Sequence, residues 1–339
     1  MELPTLDKFP RHVLAHLDIQ RGFIASRLII AAEKLQVFRL LHGKRMKSAS
    51  IGRALQIRPS RLPSFLNALV GLGLLNKSHD AYGNTRLAEK YFVDERSIYW
   101  TRQYSQECLE AYEALSALEE CLQTGKCGAD IRGRKKPSYV EAMTRDRRRA
   151  EDFTQMLFHF HREDAAALAR HLDLSGHRKL LDVGGGSGVM SIALVRANPQ
   201  LSACVLEIEP VCKVTSRIVR RAGLCRRIKP QAGDIHQPLP AGYDVVMFCD
   251  VGPISKPMLQ NAWDSLTPGG LVVAVDRFFS DDGAKPLDRL LGSLVGSSVQ
   301  MTTRGDVASA MRSCGFRSVK AKRVWRDLWC ITGAKPSRH

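Results

Sequence analysis

Apolar positions recur along the chain first at helical spacing and later as short continuous runs, and the change from one to the other divides it. From about His12 to Leu41 they fall at helical spacing, through Leu14, Leu17, Phe23, Leu28, Ile29, Ala32, Leu35 and Phe38, which predicts one long amphipathic helix ending near His42-Gly43. From Ser48 the pattern shortens to a helix around Ile51 to Leu55, a second through Leu62 to Leu75, and a hairpin-like tail in which Asp80 to Gly83 supplies the turn and Thr85 opens a new helix. This is a winged-helix outline. Such units bind DNA or act as dimerising platforms, and the helix that would read a groove, Leu62 to Leu75, is mostly apolar with few basic residues. That composition suits burial better than groove contact.

Residues Ile98 to Leu122 are helical and mixed, with Tyr99, Trp100, Tyr104 and Tyr112 as large side chains, and Gly125 to Pro137 reads as an exposed linker rich in Gly, Lys and Arg. Helical pattern returns from Tyr139 to Leu172, where Phe153, Met156 and Phe160 share a face that fits either core packing or a pocket wall. His159 and His161 are two apart and point in different directions, which argues against a joint metal site; each alone reads first as a surface or capping histidine.

Beyond Leu172 short apolar runs alternate with helices. Strands are expected from Leu180, at Ala203 to Ile208, Ile228 to Ala232, Tyr243 to Phe248 and Leu271 to Phe278. Helices are expected at Ser191 to Ala197, Met258 to Leu266 and Arg304 to Cys314, the last with Thr303 and Asp306 in capping-box spacing. Two strands, Ser318 to Val324 and Leu328 to Ala334, close the chain. Strands alternating with helices demand an α/β fold with a parallel, doubly wound, Rossmann-like sheet, and the last two strands look like its hairpin edge. The expected domains are a winged-helix-like unit at 1–95, a helical connector at 96–172 and the sheet domain at 173–339.

The chemistry concentrates at LLDVGGGSG, Leu180 to Gly188, where a buried strand breaks into glycines before a helix. That turn brings free N–H groups and the helix's positive end to the strand's carboxyl end, where polar parts of a cofactor collect. Gly184 and Gly186 can take positive φ or admit a ligand against bare backbone, Gly188 allows close helix packing, and Asp182 points a carboxylate at whatever sits above the turn. Glu207 ends the next strand nineteen residues after Gly188, where such folds place an acid for the ribose hydroxyls. Asp234, in Gly233-Asp234-Ile235, stands at a third strand's end, placed to accept from an adenine amino group.

Composition adjusts this picture only slightly. The 339 residues are 44% apolar and 25% charged, ordinary for a globular chain with room for two domains. The Met1 to Pro10 stretch lacks an apolar signal core and no run is long enough to span a membrane, so a cytoplasmic protein is expected. Nine scattered cysteines without a CxxC pair read as reduced thiols, with neither a zinc site nor a disulfide frame. The formal charge of +17 raises nucleic acid as a partner, but the basic clusters at Arg132 to Lys136, Arg145 to Arg149, Arg220 to Arg221 and Arg226 to Arg227 are dispersed and lack interleaved aromatics. A solvated basic surface accounts for them.

The order of winged helix, helical connector, DVGGGSG, acid after the second strand, GD and then LTPGG resembles the class I S-adenosylmethionine (SAM)-dependent methyltransferases. Over nearly the whole chain it is similar to the O-methyltransferase family typified by the plant caffeate and animal acetylserotonin enzymes. The resemblance implies SAM as cofactor, held by Gly184, Gly186 and their neighbours at its methionine end, by Glu207 at the ribose and by Asp234 and Ile235 about the adenine. It places Phe248 and Cys249 beside the cofactor at the end of the fourth strand, with Cys249 where the family has a lysine. It also implies a small-molecule acceptor and a homodimer built on residues up to about Phe92.

Departures from the family bear on the reaction. The catalytic histidine expected shortly after the fourth strand is absent from FCDVGPISKP, Phe248 to Pro257, and the family's supporting acids are replaced at Met301-Thr302-Thr303 and near Thr332. SAM's sulfonium is a strong electrophile, so transfer to a thioether, a neutral amine or an electron-rich carbon needs placement more than a base. A hydroxyl acceptor would need another base, for which Asp250, His159 and Asp281 are candidates. Walls for the acceptor are expected from Phe153, Met156, His159, Phe160, Asp250 and Phe279. The competing readings are an O-methyltransferase with a relocated base and a winged-helix protein whose SAM domain modifies RNA.

Overall fold

The computed structural model describes residues 13–94, 105–106, 108–127, 131, 137–286, 289–290 and 301–337. The expectations placed on His12, on the Leu14 and Leu17 side chains, on Tyr99, Trp100 and Tyr104, and on the basic run from Arg132 to Lys136 lie outside the described residues. The chain forms two compact units, Met1–Arg132 and Gly133–His339.

In the first unit the single helix expected up to Leu41 is instead two, α1 (Val13–Lys34) and α2 (Val37–Leu40), because Gln36 adopts a left-handed conformation at φ +60°. The break swings Val37 and Phe38 into the core. Then follow β1 (Met46–Lys47), α3 (Ser48–Leu55), α4 (Leu62–Gly71), β2 (Leu75–Ser78), β3 (Ala81–Asn84) and α5 (Arg86–Ala88), with the strands ordered β1-β3-β2. The Thr85 side chain caps α5 by accepting from Ala88 N. The apolar face of α4 is spent on the unit's own core through Leu62, Leu66 and Leu69, the burial its composition favours. Helix α6 (Leu118–Thr124) also belongs to this unit, while Phe23 and Ile24 of α1 remain 51% and 45% exposed.

The second unit opens with three consecutive helices, α7 (Tyr139–Arg145), α8 (Arg147–Phe160) and α9 (Arg162–His171). Asp146 ends α7 and caps α8, accepting from Arg148 and Arg149 N–H, and His161 forms the corner between α8 and α9. The sheet alternates as β4 (Lys179–Val183), α10 (Val189–Ala197), β5 (Ser202–Glu207), α11 (Glu209–Arg221), β6 (Ile228–Ala232), β7 (Tyr243–Cys249), α12 (Lys256–Ser265) and β8 (Leu266–Asp276). Helix α13 (Arg304–Ser313), with the expected Thr303/Asp306 capping box, leads to β9 (Arg317–Trp325) and β10 (Leu328–Ala334). Strand order is β6-β5-β4-β7-β8-β10-β9, parallel from β6 to β8 and antiparallel in the closing hairpin.

Both faces of the sheet are apolar because both are covered. Leu180, Val245 and Met247 pack against α9, α10 and α11, while Leu181, Val246 and Phe248 pack against α12 and α13. Each such buried aliphatic or aromatic side chain contributes about 1.5–3 kcal/mol by leaving water. No helix among the described residues is long and apolar enough to cross a membrane. Several basic side chains have structural partners: Arg227 donates to the carbonyls of Val195, Asn198 and Leu201, and Arg217 pairs with Glu151.

Candidate active site

The parallel strands end on one edge of the sheet, and the polar side chains that close them gather there. After β4 the turn Gly184 to Gly188 reverses the chain into α10, with φ of +69°, +48° and +73° at Gly184, Gly186 and Gly188. A side chain would make those conformations cost roughly 1–2 kcal/mol each. Space restricts as strongly as angle. A Cβ on Gly184 would stand 2.7 Å from Val251 Cγ1, and one on Gly185 would stand 2.5 Å from the Asp182 carboxyl carbon.

Asp182 therefore lies beneath the turn, fully buried, and does not face the space above it. Its Oδ2 accepts from Ser191 Oγ at 2.6 Å, and its Oδ1 has no hydrogen-bond partner among the described residues. Burial, reinforced by the nearby Glu207, pushes its carboxyl up to about 7. Glu207, at the end of β5, reaches back across the turn: Oε2 accepts from Gly186 N at 3.2 Å and Oε1 from Ile208 N at 2.8 Å. Burial raises its carboxyl above the usual range against these two bonds.

An ion-pair network occupies the neighbouring strand ends. Asp250, just past β7, sits at φ +52°, a strained conformation for a side chain to hold. Arg289 Nη2 donates to Asp250 Oδ1 at 2.6 Å and to Asp276 Oδ1, at the end of β8, at 2.7 Å. His161 Nδ1 donates to Asp164 Oδ2 at 3.1 Å, and its Nε2 lies 3.5 Å from Asp250 Oδ2. Arg277 ties Asp164 to Asp327, at 2.8 and 3.2 Å, and its guanidinium lies 5.8 Å from the centre of the Phe160 ring.

These contacts set the protonation states. Burial would raise Asp250, but the His161 hydrogen bond and the Arg289 charge hold its carboxyl well below the usual range. Burial would lower His161, but Asp164 and Asp250 outweigh it and raise the imidazole. The Cys249 thiol is pushed well up by burial and by the carboxylates around it, so it stays protonated near neutral pH. His159 moves the other way, lowered by burial and by Arg162, and is therefore neutral.

Known proteins place this arrangement. An O-methyltransferase domain model matches residues 118–312, more than half of the chain, over the glycine turn, Glu207 and all of the ion-pair network except Asp327. The chain belongs to the O-methyltransferase family. A dimerisation domain of O-methyltransferases matches residues 17–94, covering the winged-helix unit. The chain is 28% identical over 90% of its length to 3-hydroxy-5-methyl-1-naphthoate 3-O-methyltransferase of Streptomyces sahachiroi, covering 90% of that protein. It is 29% identical over 86% of its length to L-tyrosine C(3)-methyltransferase of Streptomyces lavendulae, covering 82% of it. The solved structure of PigF with SAH superposes with a TM-score of 0.82 at 20% identity, covering 96% of this chain and 100% of that one, a likeness of fold.

The protein is accordingly a SAM-dependent methyltransferase, and its O-methyltransferase-type glycine turn fits that cofactor. At Gly186 a Cβ would meet only Leu157, at 3.6 Å, so bare backbone borders open space there; with the start of α10 and the buried Glu207 one strand over, this fits a charged, ribose-bearing molecule. Ile235 approaches Gly184, within 3.6 Å of a Cβ built there, and Asp234 is exposed next to it, accepting from His236 N at 2.9 Å. The Phe248 ring, by contrast, is packed inside the sheet at 1% exposure, so only its backbone can reach the cofactor.

On the acceptor side the expected residues separate. Met156 is buried, and Phe153 packs with Ile208 and Val211 at the start of α11. Phe160 is 44% exposed and stands edge-on to His161, covering the network, while Phe279 is buried and bridges Thr303. Asp281 is exposed beside Arg304 and outside the network. His161, Asp164, Asp276, Arg277 and Arg289 are the site residues that sequence reasoning missed. The one local signal was Asp164 three residues after His161, one helical turn away.

Proposed function

We propose that this methyltransferase acts on a small or medium-sized acceptor, of secondary-metabolite or pigment type, at carbon, sulfur or nitrogen and without a protein general base. One observation carries this reading: the acid just past β7, Asp250, is clamped by Arg289 and His161 with its carboxyl held far below neutrality. A base with so depressed a pKa has little affinity for an acceptor's proton. His161 is no substitute, since both ring nitrogens face carboxylates and its pKa is raised. That a 29% identical relative is named for methylation at carbon supports the reading further.

When bound, SAM supplies a methyl group on a sulfonium centre. In this reading Glu207 and the glycine turn fix the cofactor, and Asp234 with Ile235 border its adenine. The Asp250 network holds the loop after β7, so that Val251 stays seated against Gly184. The chain's contribution is placement and exclusion of water, which alone can account for large accelerations.

Asp250→Asn and His159→Ala are each expected to cost less than about 2 to 3 kcal/mol in transition-state stabilisation, the low end of a general base's contribution. A loss of several thousandfold in either variant with SAM affinity unchanged would favour a hydroxyl acceptor. The dimerisation match and the exposed Phe23 and Ile24 support a homodimer. Light scattering at micromolar concentration should give twice the chain mass, and a fully active monomer would refute it.

A further inference from the structure

Asp250 holds a left-handed backbone, φ +52°, which a residue other than glycine keeps only where its surroundings over-determine it. Its N–H donates to Val275 O on β8 at 3.1 Å, and its Oδ1 accepts from Arg289 Nη2 at 2.6 Å. Both partners belong to β8 or to the segment after it. His161 reaches the same carboxylate from a different element, the corner between α8 and α9, with Nε2 3.5 Å from Oδ2.

That imidazole is fixed from behind. It is 7% exposed, its Nδ1 is held by Asp164, and Arg277 ties Asp164 to Asp327 beyond β9. The Phe160 ring stands edge-on to it, 4.9 Å between ring centres. With one nitrogen on each carboxylate, His161 is a strut between α9 and the bend after β7.

The bend bears on the glycine turn through the next residue. Val251 Cγ1 would lie 2.7 Å from a Cβ placed on Gly184, so the valine packs directly on that glycine's bare backbone. Gly184 N in turn donates to Leu206 O at 2.8 Å, which ties the turn to β5. A relaxation of the Asp250 backbone would swing Val251 off this seat and leave the turn without its wall.

We propose that His161 is a positioning residue for methyl transfer: by pairing with Asp250 it holds the left-handed bend, keeps Val251 against Gly184, and so keeps the turn in the form that takes SAM. The inference rests on the proposed placement of SAM at that turn.

Calorimetric titration of S-adenosylhomocysteine into a double-mutant cycle tests it. His161→Leu fills the space without a donor and is expected to weaken S-adenosylhomocysteine about five- to twentyfold, a coupling on the scale seen between contacting residues. His161→Gln, whose amide can still donate to Asp250, should bind within about threefold of wild type, a rescue that space-filling alone would not give. Asp250→Gly removes the carboxylate and accepts the left-handed φ freely. In that background His161→Leu should cost no more than about twofold further. Unchanged affinity in His161→Leu would overturn the inference, as would a full loss repeated in the Asp250→Gly background or a glutamine variant as weak as the leucine one. Should His161→Leu fail to fold, Val251→Ala breaks the same chain of contacts at its far end. It is expected to lose a similar factor, and unchanged affinity there would overturn the inference equally. Native affinity in a folded Gly186→Val protein would instead remove the cofactor from the turn, and the inference with it.

Discussion

A Gly185→Ala variant is expected to lose its fold, whereas Gly186→Val should keep the fold and lose the cofactor. The two glycines are neighbours in one turn, yet their surroundings are opposite. A Cβ on Gly185 would lie 2.5–2.8 Å from all three carboxyl atoms of Asp182, which is itself fully buried and bonded to Ser191, so neither group has room to yield. Relief requires the strand or the turn to shift, at a cost of several kcal/mol on the scale of overpacked cores. At Gly186 a Cβ would meet only Leu157, at an ordinary 3.6 Å, and the penalty is the left-handed φ of +48°, about 1–3 kcal/mol for a β-branched residue. On the proposed placement of SAM, the added methyls fall where the cofactor approaches the backbone. Circular dichroism and calorimetry with S-adenosylhomocysteine would check both. Native binding by a folded Gly186→Val protein would remove the cofactor from this turn.

Asp164→Ala should be a damaging change in the ion-pair network, destabilising the protein by about 1.5–3 kcal/mol, the range for hydrogen bonds to charged groups. Asp164 is 4% exposed and accepts from both His161 and Arg277, so truncation removes one carboxylate from each cation and leaves His161 with Asp250 and Arg277 with Asp327. The loss should depend on pH. His161 has a folded pKa above its unfolded value of about 6.5, so its contribution is complete below that pH and fades as pH rises through the folded value. Against burial, the His161 and Arg277 interactions leave Asp164 with a folded pKa below its unfolded value of about 3.9; its contribution is complete above that pH and fades as pH falls through the folded value. Urea unfolding of wild type and variant should therefore show the widest gap between about pH 4 and 6.5, narrowing as pH rises through the folded pKa of His161. A gap independent of pH would mean that packing, and not the His161–Asp164 pair, carries the effect.

The sheet was readable from the sequence because each element announced itself locally. Short continuous apolar runs, a glycine turn after β4, Pro and Gly near the start of β8 and a capping box before α13 all sit within a few residues of what they specify. Glu207 was legible for the same reason, at a fixed distance along one βαβ unit. The side on which Asp182 lies was also available. It shares strand parity with Leu180, whose face packs on α10, and so belongs to the covered side with Ser191. The break at Gln36 was not, since the helical period continues across it and only the packing of Val37 and Phe38 decides it. Nor was the network legible: it joins His161 and Asp164 to Asp250, Asp276, Arg277, Arg289 and Asp327, positions scattered over the second half of the chain. His159 looked the equal of His161 until the corner between α8 and α9 turned one toward the strand ends.

The central claim is that methyl transfer here proceeds without a protein base, to an atom other than oxygen. Its most direct test uses SAM carrying a ¹³C-labelled methyl group and matched sets of aromatic acceptors offering an electron-rich carbon, an amine, a thiol or a phenol, with the labelled position read by carbon NMR. The account predicts label on carbon, nitrogen or sulfur, at rates that stay flat from about pH 6.5 to 9 once acceptor ionisation is allowed for. Label confined to oxygen, with a rate that falls as His159 or Asp250 is protonated or replaced, would contradict it.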